Sequence, residues 1–414
     1  MSSAGGEHTE LLPVARHAPG PRVRTSPRVG GVTDPSLRKL ALGDLDDETL
    51  QGLIAHGEDL FVERKRQLPE APKFGAAVSS FANTLGGWVL LGVDDDGTIC
   101  GFPTSDRLDL QTWLAEELRK QTDPLPPFVA GAREFDGRQV VLLRVFESAD
   151  SPHIVRGTGA IYVRTTKGKE PVDDHRTLIE LARRGEEAER RARQRLSALP
   201  LVTRAVELPV DLVVRDQQNI SVLALAAPLT VTPQFTDWPI SRRAAEWCAT
   251  ATERILPAPE AVDVRPQMTV EPAPRGVIAT GVLRSAWDHD QRDEVCLVAD
   301  SGGVIAGRFK RMKEGREPLL LDRLRADTLE PLLRVLAEAL AEAEAFGRSA
   351  WDVFVLLPHE IRIPDEQRGA QRIVHMGAEL TIPASDDEIA GLAHRLMREY
   401  ARGAGLRAWE GAGG

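Results

Sequence analysis

The sequence predicts an α+β protein of two domains, on three observations. Ala76 to Gly101 (AAVSSFANTLGGWVLLGVDDDGTICG) reads as a helix end, a turn, a buried strand and an acidic hairpin. Asp136-Gly137 sits between two strand-like runs, which is strong hairpin chemistry. From Leu201 onward, runs rich in Val, Leu and Ile interleave with helical patterns. The 414 residues suffice for two domains at roughly 150 residues each.

Residues 1–36 are rich in Gly, Pro, Ser and Arg, lack apolar periodicity and are expected to be a disordered tail. Its Arg16, Arg22, Arg24 and Arg28 are read first as solvated and only second as phosphate contacts. Order is expected from near Leu45, with Asp46 or Asp47 capping a short helix that carries Leu50, Leu53 and Ile54. His56-Gly57 stops it, and Glu58 sits in a turn before a strand from Leu60 to Arg66. Alternation there puts Phe61, Glu63 and Lys65 on one face, Val62 and Arg64 on the other. Pro69 to Pro72 is expected to break the chain before the central helix.

In that helix Ala76, Ala77, Ser79 and Ser80 permit close packing, while Val78 and Phe81 supply apolar contacts. Asn83 and Thr84 end it, and Gly86-Gly87 offers positive φ at the turn. Trp88 to Val93 is apolar throughout, as a strand covered on both faces would be. Asp94-Asp95-Asp96-Gly97 closes a hairpin, and Asp suits such turns for its own sake. Leu108 to Gln121 follows as an amphipathic helix, ended by Pro124, Pro126 and Pro127. Strands are expected over Val129–Arg133, Gln139–Phe146 and Ile161–Thr165. The first domain thus spans residues 37–184.

A highly charged helix is expected from Thr177 onward, with residues 185–200 read as a helical linker, whose mixed Arg and Glu pair at i,i+4 on an exposed surface. Residues 201–405 form a second α+β domain without a recognisable motif. Its expected helices are Ser241–Ile255, Asp327–Phe346 and Asp386–Tyr400. Its expected strands lie in 208–229, 268–270, 276–283, 294–299 and 351–357. His359-Glu360 lacks a second His at zinc-protease spacing.

Composition narrows the function. No apolar run approaches the roughly 20 residues of a membrane helix. The start shows no secretion signal, and Cys100, Cys248 and Cys296 stand at no metal or redox spacing. A cytoplasmic protein is expected. The net charge of −10 means that any nucleic-acid role must come from a local basic face.

Three ordered motifs carry a family resemblance. Gly57-Glu58-Asp59-Leu60-Phe61-Val62-Glu63-Arg64-Lys65, Asn83-Thr84-Leu85-Gly86-Gly87 leading to Gly92-Val93-Asp94-Asp95, and Tyr162-Val163-Arg164 occur in sequence. Together they resemble the Schlafen-type AlbA-like domain over roughly Leu45 to Arg184. The resemblance implies a mixed sheet with packed helices and a nucleic-acid-binding role, extending in nuclease members to metal-dependent cleavage of structured RNA. It maps the catalytic and metal-ligating acids onto Glu58, Glu63 and Asp95. Carboxylates suit Mg²⁺ or Mn²⁺, and such an ion can polarise a scissile phosphate. Asp94 and Asp96 are the alternates.

Basic residues expected at RNA or DNA phosphates are Arg64, Lys65, Arg164, Lys167 and Lys169. Trp88 is expected in the core before any stacking role. The family usually has Phe where this chain has Arg64, which either weakens burial of that face or adds a phosphate contact. Nuclease members carry two domain copies as a clamp, and one copy here would require a homodimer. Some members are labelled ATP-binding, but the single Gly168-Lys169 is no P-loop. The competing reading is a non-catalytic regulatory or partner-binding protein, or an ATP-binding regulator.

Overall fold

The computed structural model describes residues 37, 40, 42–103, 109–197, 219–256, 267–284, 292–312, 321–356 and 373–404. The tail with its four arginines, 198–218, His359-Glu360 and the residues after 404 lie outside the described residues. Both described units mix helices and strands, so the α+β expectation holds.

The first unit opens with a 3₁₀ turn, Leu42–Asp44, and helix α1, Asp47–His56. Asp46 caps α1 by accepting Thr49 N–H at 2.8 Å. Strand β1 is Val62–Lys65, shorter than expected because Phe61 precedes the ladder and joins Val62 in one core. Helix α2, Ala71–Ala82, takes Pro72 into its first turn, where a missing N–H costs nothing. Pro72 therefore starts the helix instead of interrupting the chain ahead of it. Strand β2 is Gly87–Leu91, fully buried.

Helix α3, Leu110–Gln121, leads to β3, Thr122–Asp123, then to β4, Phe128–Phe135, and β5, Arg138–Val145. Asp136 and Gly137 both take positive φ between β4 and β5, as an Asp-Gly hairpin requires. Short strand β6, Ile154–Val155, and strands β7, Ala160–Thr165, and β8, Gly168–Pro171, complete the unit.

The main sheet runs β1-β2-β5-β4, with β1 parallel to β2 and the remainder antiparallel. It is the mixed sheet that was expected. Trp88 and Leu90 face α1 with Leu50 and Leu53, whereas Val89 and Leu91 face α2 and α3 with Phe74, Phe81 and Leu118. β2 is thus covered on both faces. Gly86 has φ +75°, and a Cβ on Gly87 would stand 2.3 Å from the Phe81 ring. The two glycines let a helix end and a strand start in one tight turn. A second sheet, β3-β6-β7-β8, packs against α2.

Helix α4, His175–Ser197, corrects the linker reading. It starts two residues before the expected Thr177 and runs on through the expected linker to Ser197. The i,i+4 pairs are present, among them Arg193–Glu189 at 3.0 Å. Yet Leu181, Ala192 and Leu196 are buried, the last two against Leu223, Leu225 and Ala306 of the seven-stranded sheet that follows. Counting charges missed three apolar residues on one stripe.

The second unit contains β9, Asn219–Pro228, helix α5, Arg242–Ile255, β10, Gln267–Ala273, β11, Gly276–Arg284, β12, Arg292–Asp300, and β13, Val304–Met312. Helix α6, Glu330–Glu342, β14, Gly347–Leu356, β15, Ile373–Ile382, and helix α7, Asp386–Gly403, follow. Ser241 caps α5 as expected, accepting Ala244 N–H. β13 and β15 were not anticipated: Arg308, Lys310, His375 and Glu379 alternate with apolar residues and dilute each run. All seven strands pair antiparallel in the order β10-β11-β12-β13-β9-β14-β15. Helices α5, α6 and α7 cover one face and α4 the other.

Candidate nucleic-acid interface

The strand register decides where the candidate residues go. Glu63 pairs with Val89 and Lys65 with Leu91, so both lie on the α2 face of the main sheet. Val62 and Arg64 lie on the α1 face. The predicted alternation holds from Val62 to Lys65, and β1 does lie beside β2.

Glu63 is buried, 4% exposed, and surrounded by cations. Arg164 Nη1 donates to Oε2, while Lys65 Nζ and Lys169 Nζ approach Oε1 at 3.0 and 3.2 Å. Burial pushes the Glu63 carboxyl up, but the Arg164, Lys65 and Lys169 charges and the Arg164 hydrogen bond outweigh it and hold it at about 2. Lys65 is raised despite its burial, because it faces Glu63 and Glu58. Arg164 also donates to the carbonyls of Asp59 and Val62, and its guanidinium lies 4.4 Å from the Phe81 ring centroid.

Glu58 is exposed, and its Oε1 accepts Arg64 N–H at 2.9 Å and Lys65 Nζ at 3.0 Å. It therefore closes the outer edge of β1, where a strand would otherwise offer a free N–H. Glu58 and Glu63 do converge, on Lys65. Asp95 does not join them. It sits exposed at the hairpin tip, where Asp94 accepts Asp95 N–H and Asp96 accepts Thr98 N–H. The Asp96 carboxyl is held low by those Thr98 hydrogen bonds and, more weakly, by the Arg64 charge. The tip thus lies on the Arg64 side of the sheet, opposite Glu63.

This corrects the expected metal centre. Both Glu63 oxygens are occupied by ammonium and guanidinium groups, a donor set that repels Mg²⁺ or Mn²⁺. Among the described residues no group of three His, Cys, Asp or Glu side chains is placed to hold a metal ion. The residues do not fit the cofactor that the resemblance implies.

The basic residues divide. Arg64 is buried: its Nη1 donates to Ile54 O at 3.1 Å, and Gly97 of the hairpin packs over it. Arg164 is buried in the Glu63 cluster. Neither presents its charge to solvent, which corrects the expectation of phosphate contacts. Lys65 and Lys169 are about a quarter exposed, while Lys167 and Arg66 are well exposed. Gly168-Lys169 opens a strand and not a helix, so no phosphate-cradling loop forms there. Trp88 is in the core, its Nε1 donating to Leu37 O at 3.1 Å.

Sequence reasoning missed a second pair. His56 Nε2 lies 2.9 Å from Asp59 Oδ2, and Asp59 Oδ1 accepts Phe61 N–H and Val62 N–H. The signal was local: a His at a helix end, a Gly, and an Asp placed to turn the chain. Asn83 was read only as a helix terminator. It also accepts His153 N–H at 2.7 Å and donates to His153 O and Tyr162 O, at 3.1 and 2.9 Å.

Residues 58–173 match the family model described as Schlafen, AlbA_2, and all three sequence motifs reach into that range. No curated protein matches the chain. Among solved structures, it is similar to the DIP2311 protein from Corynebacterium diphtheriae, at 21% identity over 43% of this chain and 34% of that one, with a TM-score of 0.25. It is also similar to the N-terminal domain of a putative ATP-dependent DNA helicase RecG-related protein from Nitrosomonas europaea. That match has 24% identity over 26% of this chain and 81% of the other, with a TM-score of 0.22. The chain spans about a third of the first of these structures. No described helix is long and apolar enough to cross a membrane.

Proposed function

We propose that this chain, with a Schlafen AlbA-like domain at residues 58–173, binds nucleic acid through the basic rim around Glu63. One observation carries the reading: a single buried carboxylate oxygen holds two lysines, Lys65 and Lys169, at the surface. Lys167 lies two residues from Lys169 across the β7–β8 turn, and Arg66 follows Lys65. Fixed ammonium groups bind phosphates with less entropy to lose than free ones. Such contacts follow the backbone and carry little base preference. Metal-dependent cleavage by Glu58, Glu63 and Asp95 is left out of this reading, because Glu63 serves the cations. A two-copy clamp would need a homodimer, which gel filtration with and without RNA would reveal.

The test is fluorescence anisotropy with single-stranded RNA and DNA over a salt series. Wild type is expected to bind, with affinity falling as salt rises. Lys167→Ala with Lys169→Ala should weaken binding on the order of tenfold and reduce the salt slope by roughly 1.4. Equal binding by the double variant would move the interface elsewhere. Binding of neither polymer would end the proposal.

A further inference from the structure

We propose that a cleft between the first and second units binds a small organic cation, an ammonium group carried on an apolar or aromatic body. The cleft has a volume of about 460 Å³, a size that takes such a molecule. Both units line it. The first supplies Leu42 and Gly43 of its 3₁₀ turn and Val129 of β4. The second supplies residues of α5, of α6 and of the segment before β14.

Helical spacing explains the second wall. Arg243, Trp247 and Arg254 share one stripe of α5, and Glu338, Ala341 and Glu342 share one stripe of α6. The stripes face each other. Arg243 Nη2 meets Glu342 Oε2 at 2.8 Å, and Arg254 Nη2 meets Glu338 Oε2 at 2.6 Å. Trp247 comes between these two pairs along α5 and is half-buried. The buried Trp238 meets its ring edge to face, with centroids 5.9 Å apart. Just after α6, Glu344 turns the chain at φ +52°, and its Oε1 accepts Leu42 N–H of the opposite unit at 3.1 Å. Phe346 follows and packs on Phe146 of the first unit, with ring centroids 4.9 Å apart.

Charge selects the ligand. Glu338, Glu342 and Glu344 line the cleft with only Arg243 and Arg254 against them, so negative charge is in excess. A carboxylate bonded to one donor keeps lone pairs for another. The indole of Trp247 favours the same sign, because an aromatic face attracts a cation and Trp does so best. Leu42, Val129 and Phe346 take the apolar body. A metal ion fits worse: among the described residues no three His, Cys, Asp or Glu side chains are placed to hold one. The rim around Glu63 presents ammonium groups and suits phosphates, so the two sites take ligands of opposite charge. This inference does not depend on the nucleic-acid reading.

The experiment titrates the full chain with three probes of similar body and different charge: 2-phenylethylammonium, 2-phenylethanol and 3-phenylpropionate. Calorimetry gives the affinity, and melting temperature reports that each variant is folded. The ammonium probe is expected to bind about tenfold more tightly than the alcohol, and the carboxylate most weakly. Glu344→Gln keeps an acceptor for Leu42 N–H and removes the charge. It should weaken the ammonium probe about tenfold and leave the alcohol unchanged. Trp247→Leu keeps apolar volume and loses the aromatic face, so it should weaken the ammonium probe about three- to tenfold. Ala341→Trp fills the cleft from α6 and should abolish binding. Three outcomes overturn the site: no binding of the ammonium probe, equal affinity for all three probes, or wild-type affinity in all three variants, which would place the probe elsewhere.

Discussion

Glu63→Gln is expected to lower the stability of the first unit by about 3 to 5 kcal/mol at pH 7, because it leaves a buried guanidinium without its counter-charge. The Glu63 carboxyl falls from 4.5 to about 2 on folding. The unfolded chain therefore binds this proton at a higher pH than the folded one. The stabilisation is fully present above about pH 5 and is lost as pH falls from 4.5 toward 2. Its size follows from the shift, about 3 kcal/mol, an appreciable part of an ordinary domain's stability. Urea denaturation of wild type across this range should show a matching loss, and Glu63→Gln should show a clearly smaller one, left to carboxylates such as Asp96. If the two curves fall in parallel, Glu63 is not the group that titrates. Removing the carboxylate also frees Lys65 and Lys169 from their anchor, so nucleic-acid affinity should fall even where the variant remains folded.

The second large effect is expected at Asn83. Asn83→Ala deletes three hydrogen bonds in a site where Asn83 and His153 are 1% and 0% exposed. It leaves His153 N–H and His153 O unpaired and away from water, and Tyr162 O unpaired at a half-buried strand. At about 1 kcal/mol for each, the loss is roughly 3 kcal/mol by chemical denaturation. Asn83→Asp should be no milder, since it keeps the acceptor, loses both donors and buries a charge. Amide exchange in β6 and β7 should quicken, because Asn83 ties both strands to the end of α2. Stability within about 0.5 kcal/mol of wild type would mean that water takes over the three groups.

Much of the fold was legible because it is local. The Asp-Gly turn between β4 and β5, the Gly86-Gly87 turn and the caps at Asp46 and Ser241 are each set by neighbouring residues. The acidic triplet shows the limit of that reasoning. Its turn chemistry was plain in the sequence, and turn chemistry is what Asp94 and Asp96 perform. The resemblance added a catalytic part for Asp95, which sits exposed at the tip of that turn. Arg64 was the visible anomaly, a charge where the pattern has Phe. Only the packing of α1 and the hairpin explains it: the guanidinium caps the Ile54 carbonyl at the end of α1.

The sequence by itself determined most of the helices, the hairpins and the match of residues 58–173 to the Schlafen, AlbA_2 model, since these depend on residue spacing over a few positions. Only the tertiary structure decided which charges far apart in the chain neutralise one another. Glu63 and Arg164 stand 101 residues apart, and Lys169 lies 106 residues from Glu63. Spacing says nothing about such pairs, because the α2 packing and the β1–β2 register bring them together. A carboxylate at that point becomes an anchor for cations instead of a ligand for one, and no property of Glu63 alone foretells it.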